Sequence, residues 1–511
     1  MKRLIAVVAA SISLTSIAAT WERAGLLQVT DTTGLAVAVA KLGELSGNQM
    51  LGALAAAQVA QLPTSEFFGP MRQGGSMAFP VYFDSDVFTK SGAGDEEAFD
   101  DLDDNAIEFA VVYPMALPKD EFMKLHDGAF ETNGFVCVKG LPFGDADDDD
   151  FTYIAFAEDG RWAVASDKPE QVEIALKDLA ELVAPMDGDI VRIVATPKGL
   201  DNLRKIVDIG ARKCAEKGEQ LDESLLHIIK GLASARYALR VGDAGIDIHG
   251  EYSALPESRL SSMGSVTFSA ESLSAASDED LLFTQTSFAK MDIESQWKLV
   301  AEVLAKHKID TSSFMTWHFA PASRIVVDLP SLVKFIKSAD TNGLDEVDFD
   351  DVANDVKSAL SGKDTFVPAV APESIGLAFA GYRPQFSAAD RFLATLPEAK
   401  GKPLVGASVG SLSGIVQAIL PAFLASLDDE ARVGAAAMAA LLPKETRCGI
   451  VSASWRQSET SVAGVFRISA DEIKGIGVGV GAIAAASMSL RSAAPDDDFD
   501  DEDLNDPSDE D

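Results

Sequence analysis

The stretch DGDIVRIVATPKGLDNLRKIVDIGARKCAEKGEQLDESLLHIIKGLASARYALRVGDAGIDIHGEY, Asp187 to Tyr252, decides how this chain is read. Ile190–Thr196 is an apolar, β-branched run that predicts a strand, and Pro197 then opens a helix reaching about Cys214. A second helix is expected from Asp222, and Arg236–Tyr252 predicts a hairpin turning at Gly242-Asp243-Ala244-Gly245. The same order returns downstream: strand Pro403–Val409, helices from about Ser411 and Asp428, and hairpin Arg447–Arg467. Ile190 matches Leu404 at a shift of 214, Arg236 matches Arg447 at 211, and Gly250 and Tyr252 match Gly464 and Phe466 at 214. A near-constant offset across four elements predicts an internal repeat. Leu377–Ala380, Pro384 and a helix ending near Leu396 echo the segment that begins at Trp162, which extends the expected repeat upstream.

The fold class expected from this pattern is α+β, with two similar halves whose antiparallel sheets are covered by helices. The division is a signal peptide at 1–19, a first half at 20–290, a second half at 291–494 and an acidic tail at 495–511. Within the first half, Gly34–Val39 reads as a short strand and Leu42–Leu62 as one Ala-rich helix ended by Pro63. Strands are expected at Met77–Phe83, Ile107–Tyr113 and Gly134–Lys139, with a helix at Lys119–His126. Tyr153–Ala157 and Trp162–Ser166 flank Glu158-Asp159-Gly160, a strong hairpin signal, and Pro169 opens the helix that follows. Further on, strands Leu282–Thr286 and Ile325–Leu329 alternate with helices Ile293–His307, Ser331–Ser338 and Val352–Leu360.

Met1-Lys2-Arg3 followed by the apolar run Leu4–Ala19 predicts a secretory leader, with Ser16-Ile17-Ala18 placing the mature start near Ala19 or Thr20. The expected location is therefore periplasmic or extracellular. Cys137, Cys214 and Cys448 allow at most one disulfide, and Cys137 sits in a strand-like run as a small hydrophobe. The formal charge is −37, and no Lys/Arg cluster offsets it locally, so nucleic acid and anionic membrane surfaces are excluded as partners. Asp95–Asp104 carries seven acids in ten positions, and the tail carries eleven acids and no base. The tail cannot bury enough apolar surface to order itself.

Four patterns invite chemistry. Gly406-Ala407-Ser408-Val409-Gly410 is a G-x-S-x-G between an expected strand and an expected helix, which makes Ser408 the candidate nucleophile of a serine hydrolase. All five histidines precede it, against the order that hydrolase pattern requires. Asp247, His249 and Glu251 share one face of a strand and are the candidate metal ligands, although the solvent face of a half-buried hairpin is the favoured explanation, since the other copy has only Ser461 and Ala463 on the matching face. Asp145–Asp150 opens like a calcium loop but lacks the Gly and the closing Glu, so the acidic loops and tail promise only weak divalent-cation binding. The glycines from Gly475 to Gly481 lack the strand context of a dinucleotide site, and no cofactor is expected.

The string Phe151-Thr152-Tyr153-Ile154-Ala155-Phe156-Ala157-Glu158-Asp159-Gly160-Arg161-Trp162-Ala163-Val164-Ala165-Ser166, with Asp167-Lys168-Pro169-Glu170 after it, resembles exported bacterial proteins grouped as a family of unknown function. The later hairpin around Gly242-Asp243-Ala244-Gly245 is similar to theirs as well. The resemblance covers roughly half the chain and implies a secreted α+β protein with no catalytic residue to carry over. The reading favoured by the sequence is a non-catalytic exported protein, binding or structural; the alternative is a hydrolase using Ser408.

Overall fold

The computed structural model describes residues 22–47, 49–61, 72, 75–83, 107–139, 151–216, 223–275, 279–319, 323–337, 347–360, 367–426 and 449–476. The chain is mixed α and β, organised on one large, mostly antiparallel sheet. It begins with β1 (Glu22–Thr30), after which Asp31 caps the helix α1 (Thr32–Leu45) by accepting from the Gly34 amide at 2.8 Å. The expected strand at Gly34–Val39 is thus the first turns of a helix. Its uniformly apolar run, Gly34-Leu35-Ala36-Val37-Ala38-Val39, suits either period, and the cap settles it. The expected single helix Leu42–Leu62 is likewise two: α1 stops at Gly47, whose φ is +74°, and α2 (Gln49–Gln61) folds back on it. A Cβ on Gly52 would stand 2.5 Å from the Gly43 Cα, so these glycines let the two helices touch.

β2 (Ser76–Phe83), β3 (Ile107–Phe109) and β4 (Val111–Pro114) follow, then α3 (Lys119–Leu125), β5 (Phe130–Thr132), β6 (Phe135–Lys139), β7 (Phe151–Phe156) and β8 (Trp162–Ser166). The helices α4 (Pro169–Lys177) and α5 (Leu179–Leu182) lead to β9 (Val191–Ala195), α6 (Pro197–Glu216), α7 (Glu223–Gly231), and the hairpin β10 (Leu232–Gly242) and β11 (Gly245–Ala254). After the short α8 (Arg259–Ser262) come β12 (Leu282–Thr286), α9 (Ile293–Lys306), β13 (Met315–His318), β14 (Ser323–Val327), α10 (Leu329–Lys337) and α11 (Phe349–Leu360). The last part holds β15 (Glu373–Phe379), α12 (Ala388–Thr395), β16 (Leu404–Gly410), α13 (Leu412–Ser426), and the hairpin β17 (Ile450–Arg456) and β18 (Ser461–Ser469).

The strands hydrogen-bond in the series β5-β6-β7-β8-β4-β2-β1-β9-β10-β11-β18-β17-β16-β12-β15-β14-β13, with β3 beside β4 on β2. Among the described residues every ladder is antiparallel except β14 with β15. At the centre, β9-β10-β11 and β18-β17-β16 meet through β11 and β18, and β1 and β12 flank them on either side. Outside these eight strands the arrangements differ. β1 is followed by β2, β4 and β8, whereas β12 is followed by β15, β14 and β13.

Strand alternation divides the sheet into two faces. On one face Ala407, Val409, Val451, Ala453 and Val465 bury against Ala388 and Phe392 of α12 and against Leu273. Leu26, Ala78, Tyr82, Val112 and Val164 bury with Val172 and Ala175 of α4 and with Leu182 of α5. Ala195 packs against Leu200 and Leu203 of α6, and Met77, Val111, Tyr113 and Val136 pack with Phe122 of α3. Cys137 and Cys214 are free thiols, and Cys137 is buried; Cys448 lies outside the described residues. Among the described residues no helix is long and apolar enough to cross a membrane. The leader at 1–19, the acidic runs at 95–104 and 145–150, the helix expected from Asp428, the glycines from 477 on and the tail at 495–511 also fall outside them.

Candidate functional site

The central strands keep the candidate chemistries apart. Ser408 stands in the middle of β16, opposite Thr284 and Ser452, and its Oγ accepts from Thr284 Oγ1 at 3.1 Å. The whole G-x-S-x-G lies within β16, and α13 starts only at Leu412, so Ser408 is a strand residue and not the tip of a strand-to-helix turn. His249 is three strands away on β11, a separation of about 14 Å at ordinary strand spacing. It is also on the other side of the sheet. His249 faces Val465, which faces Ala453 and then Ala407, and Ala407 and Ser408 point oppositely. His307 pairs with Asp355 at 3.0 Å, and His227 contacts Arg259 at 2.9 Å, so both are occupied elsewhere.

Asp247, His249 and Glu251 do share one face of β11. Asp247 is committed to Arg467, which donates to it at 2.6 and 2.9 Å and also reaches Glu398 and the Thr395 carbonyl. That hydrogen bond to Asp247, followed by the charges of Asp247 and Glu398, pushes the Arg467 guanidinium up, against its partial burial. His249 Nε2 is 3.7 Å from Asp247, and Glu251 is exposed opposite Arg236. The Arg467 guanidinium, bonded to both Asp247 oxygens, already takes the place a metal would need there. Among the described residues no group of three or more His, Cys, Asp or Glu side chains is placed to hold a metal ion.

Two polar constellations were not legible as such in the sequence. Asp189, closed off from solvent, accepts from Arg192 at 2.8 and 3.0 Å and from Arg240 at 2.6 Å, while Arg192 also donates to Gln28. Burial pushes the Asp189 carboxyl up, but the two arginines outweigh it and hold it below the ordinary range. Glu472, fully buried in the 470–476 helix, accepts from the Ser413 amide and from the Ser411 and Ser413 hydroxyls at the start of α13. Its carboxyl is pushed up by burial, only partly offset by these donors. Both bridge distant segments, and the two serines that donate to Glu472 are themselves buried, closed to a substrate.

What remains at the centre is the other face of the same strands. Tyr237, Gly250, Gly464, Ser454, Gly406 and Thr286 form one row across β10, β11, β18, β17, β16 and β12; Leu239, Ile248, Phe466, Ser452, Ser408 and Thr284 form the next. Neither row contains an ionisable acid or base other than the Tyr237 phenol. Over β11 and β18 lies a groove of about 280 Å³, bordered by Tyr237, Ile248, Tyr252, Phe466, Ser452 and Ser454. Tyr237 and Ile248 are 48% and 40% exposed, unusual for apolar side chains at mid-sheet. The sequence does show the alternation that puts these residues on one face, but not that β11 and β18 are neighbours.

Comparisons with protein-family models, with curated proteins and with solved structures find no match.

Proposed function

We propose that this chain is an exported, non-catalytic binding protein made of two similar α+β halves, with its ligand site at their junction. The observation that carries this reading is the groove over β11 and β18: open, mostly apolar, and without an activated nucleophile, the acid on its border, Glu251, belonging to the alternate face of β11 opposite Arg236. Ser408, the one candidate nucleophile, is two strands from β18 on the same face, and its neighbours Thr284 and Ser452 are neutral hydroxyls. A hydroxyl with such partners has nothing to take its proton. In favour of a duplicated origin is the agreement between the repeat offset and the central ladder. Gly250 and Gly464, 214 positions apart, are directly opposite one another. The repeat claimed is that of the inner strands, since the outer ones are ordered differently. Export rests on the charged and apolar leader at 1–19.

Hydrolysis of p-nitrophenyl acetate, butyrate and octanoate by the wild-type protein and Ser408→Ala tests the absence of catalysis. Both should match the buffer rate. Turnover that Ser408→Ala abolishes would establish the hydrolase instead. For export, the mature N-terminus measured by mass spectrometry after secretion should be Ala19 or Thr20.

A further inference from the structure

We infer that the outer face of the α1–α2 helix pair is where a second copy of this chain docks, the two copies related by a two-fold axis that lays α2 antiparallel on its counterpart. That surface shares no residue with the groove over β11 and β18, so it stands or falls apart from the ligand site proposed above. α2 packs chiefly on α1, and the side it turns there, with Gly52, Ala55 and Val59, is buried or half-buried. Its opposite side is a helical stripe of Met50, Ala53, Leu54, Ala57 and Ala60, every one of them exposed. Met50 is 74% and Leu54 54% exposed, and Val37 on α1 is 64% exposed. Single exposed apolar residues are ordinary, but a continuous stripe with a third apolar residue on the next helix marks an interaction surface.

Charge, relief and size together name the occupant. α2 has no charged residue, and α1 has only Lys41 and Glu44, which bond each other at 2.9 Å while Lys41 also reaches Asp243 at 2.6 Å. In a chain of formal charge −37, two copies repel over most of their surface, and this face adds nothing to that repulsion. A charged partner would find no counter-charge here, and an anionic lipid surface would be repelled by the rest of the molecule. The relief is self-complementary. Met50 and Leu54 stand near the turn between the helices, and towards the other end Thr33, Ala36, Ala40, Ala57 and Ala60 border a trough of about 390 Å³. A two-fold axis crossing α2 between Leu54 and Ala57 puts each copy's Met50 and Leu54 over the other's trough, so one patch supplies both filler and hollow. A parallel pairing would set Leu54 on Leu54 and leave both troughs empty. Helices of 14 and 13 residues are ~20 Å long and, side by side, ~20 Å wide. Two such faces bury roughly 1,000 Å² once their relief is counted, the size of a weak specific interface, with a Kd on the order of 10 µM.

Sedimentation equilibrium of the full-length protein should show a monomer–dimer equilibrium, tighter at ~0.5 M than at ~0.05 M NaCl because salt screens only the repulsion between copies. Leu54→Lys sets a charge in the seam and exchanges residues of similar helix propensity at an exposed site. It should weaken the dimer at least ~10-fold, with circular dichroism and the melting temperature of the dilute monomer unchanged. Ala57→Leu separates a fitted seam from mere stickiness. It adds apolar surface but fills the hollow that the partner's Leu54 enters, so the dimer should weaken roughly 5-fold or more, whereas a merely greasy patch would associate more tightly. Val370→Lys, at a residue 92% exposed and outside this helix pair, should leave the affinity as it is. Wild-type protein that stays monomeric to ~200 µM, a dimer indifferent to Leu54→Lys, or an Ala57→Leu dimer tighter than wild type would overturn the inference. So would flotation of the protein with neutral phosphatidylcholine vesicles that Leu54→Lys abolishes, since lipid would then cover the face. None of these outcomes bears on the groove or on Ser408-dependent ester hydrolysis.

Discussion

Gly250 lies directly opposite Gly464 in the ladder between β11 and β18, and the two are not equally replaceable. A Cβ on Gly250 meets the end of the Tyr237 ring at 3.0 and 3.1 Å, and that half-exposed ring can swing aside. A Cβ on Gly464 meets the Ala453 carbonyl oxygen at 3.0 Å, which is ladder backbone and cannot. Gly250→Ala should therefore stay within about 1 kcal/mol of wild type, a loss of space set against a gain in strand propensity. Gly464→Val should cost about 1–3 kcal/mol. Urea denaturation midpoints separate the two.

Arg467 ties β18 to β11 through Asp247 and to α12 through the Thr395 carbonyl. Removing it leaves Asp247 half-buried beside an empty site. Arg467→Met should cost about 2–3 kcal/mol, below the loss for a fully buried pair because both partners keep some solvent contact. Asp247→Asn should cost less, about 1 kcal/mol, since one hydrogen bond survives.

The Asp189 cluster should be the more sensitive one. Its carboxylate is sealed from solvent and holds Arg192, itself buried, together with Arg240. Asp189→Ala strands the Arg192 charge and should cost about 3–5 kcal/mol, whereas Arg240→Ala, with a half-exposed side chain, should cost about 1 kcal/mol. A double-mutant cycle on Asp189 and Arg192 should show strong coupling.

Glu472 and Asp189 should give opposite slopes of stability against pH. Burial raises the folded Glu472 carboxyl above its unfolded value, so the folded state holds that proton more tightly. Its contribution is fully present below the ordinary carboxylate range and is lost as pH rises through the folded value. The folded Asp189 carboxyl is depressed, so its contribution is present above the ordinary range and is lost as pH falls through the lower folded value. Glu472→Gln should thus fare better against wild type at pH 7.5 than at pH 4, and Asp189→Asn better at acid pH. Glu472→Ala, which orphans the Ser413 amide at the start of α13, should cost about 1–3 kcal/mol at either pH. Urea titrations at those two pH values check the Glu472 variants, and a further one at pH ~2.5, below the ordinary Asp range, checks Asp189→Asn.

Local patterns were readable where local forces decide. Leu282–Thr286 is a strand as its alternation predicts, and the turn between Gly242 and Gly245 closes the β10–β11 hairpin as its residue types require. At Gly34–Val39 the pattern alone misled, because the deciding group, the Asp31 carboxylate, stands outside the apolar run. The break near Gly47 was hidden in uniform Ala-rich composition on both sides. Ser408 looked exposed because G-x-S-x-G fits a turn and a small-residue strand equally; only the ladders to Thr284 and Ser452 distinguish them. The groove could not be read at all, since Tyr237 and Phe466 become neighbours through pairing between strands more than two hundred residues apart.

The account depends most on β11 and β18 being joined into one sheet, and native-state hydrogen exchange at their amides tests that directly. The amides that bond across this ladder, from Ile246 to Tyr252 and from Val462 to Ile468, should exchange only through global unfolding, as slowly as those of β16 and β17. If instead they exchange as freely as edge strands while β10 and β17 stay protected, the halves are separate bodies, and neither the junction nor its groove exists.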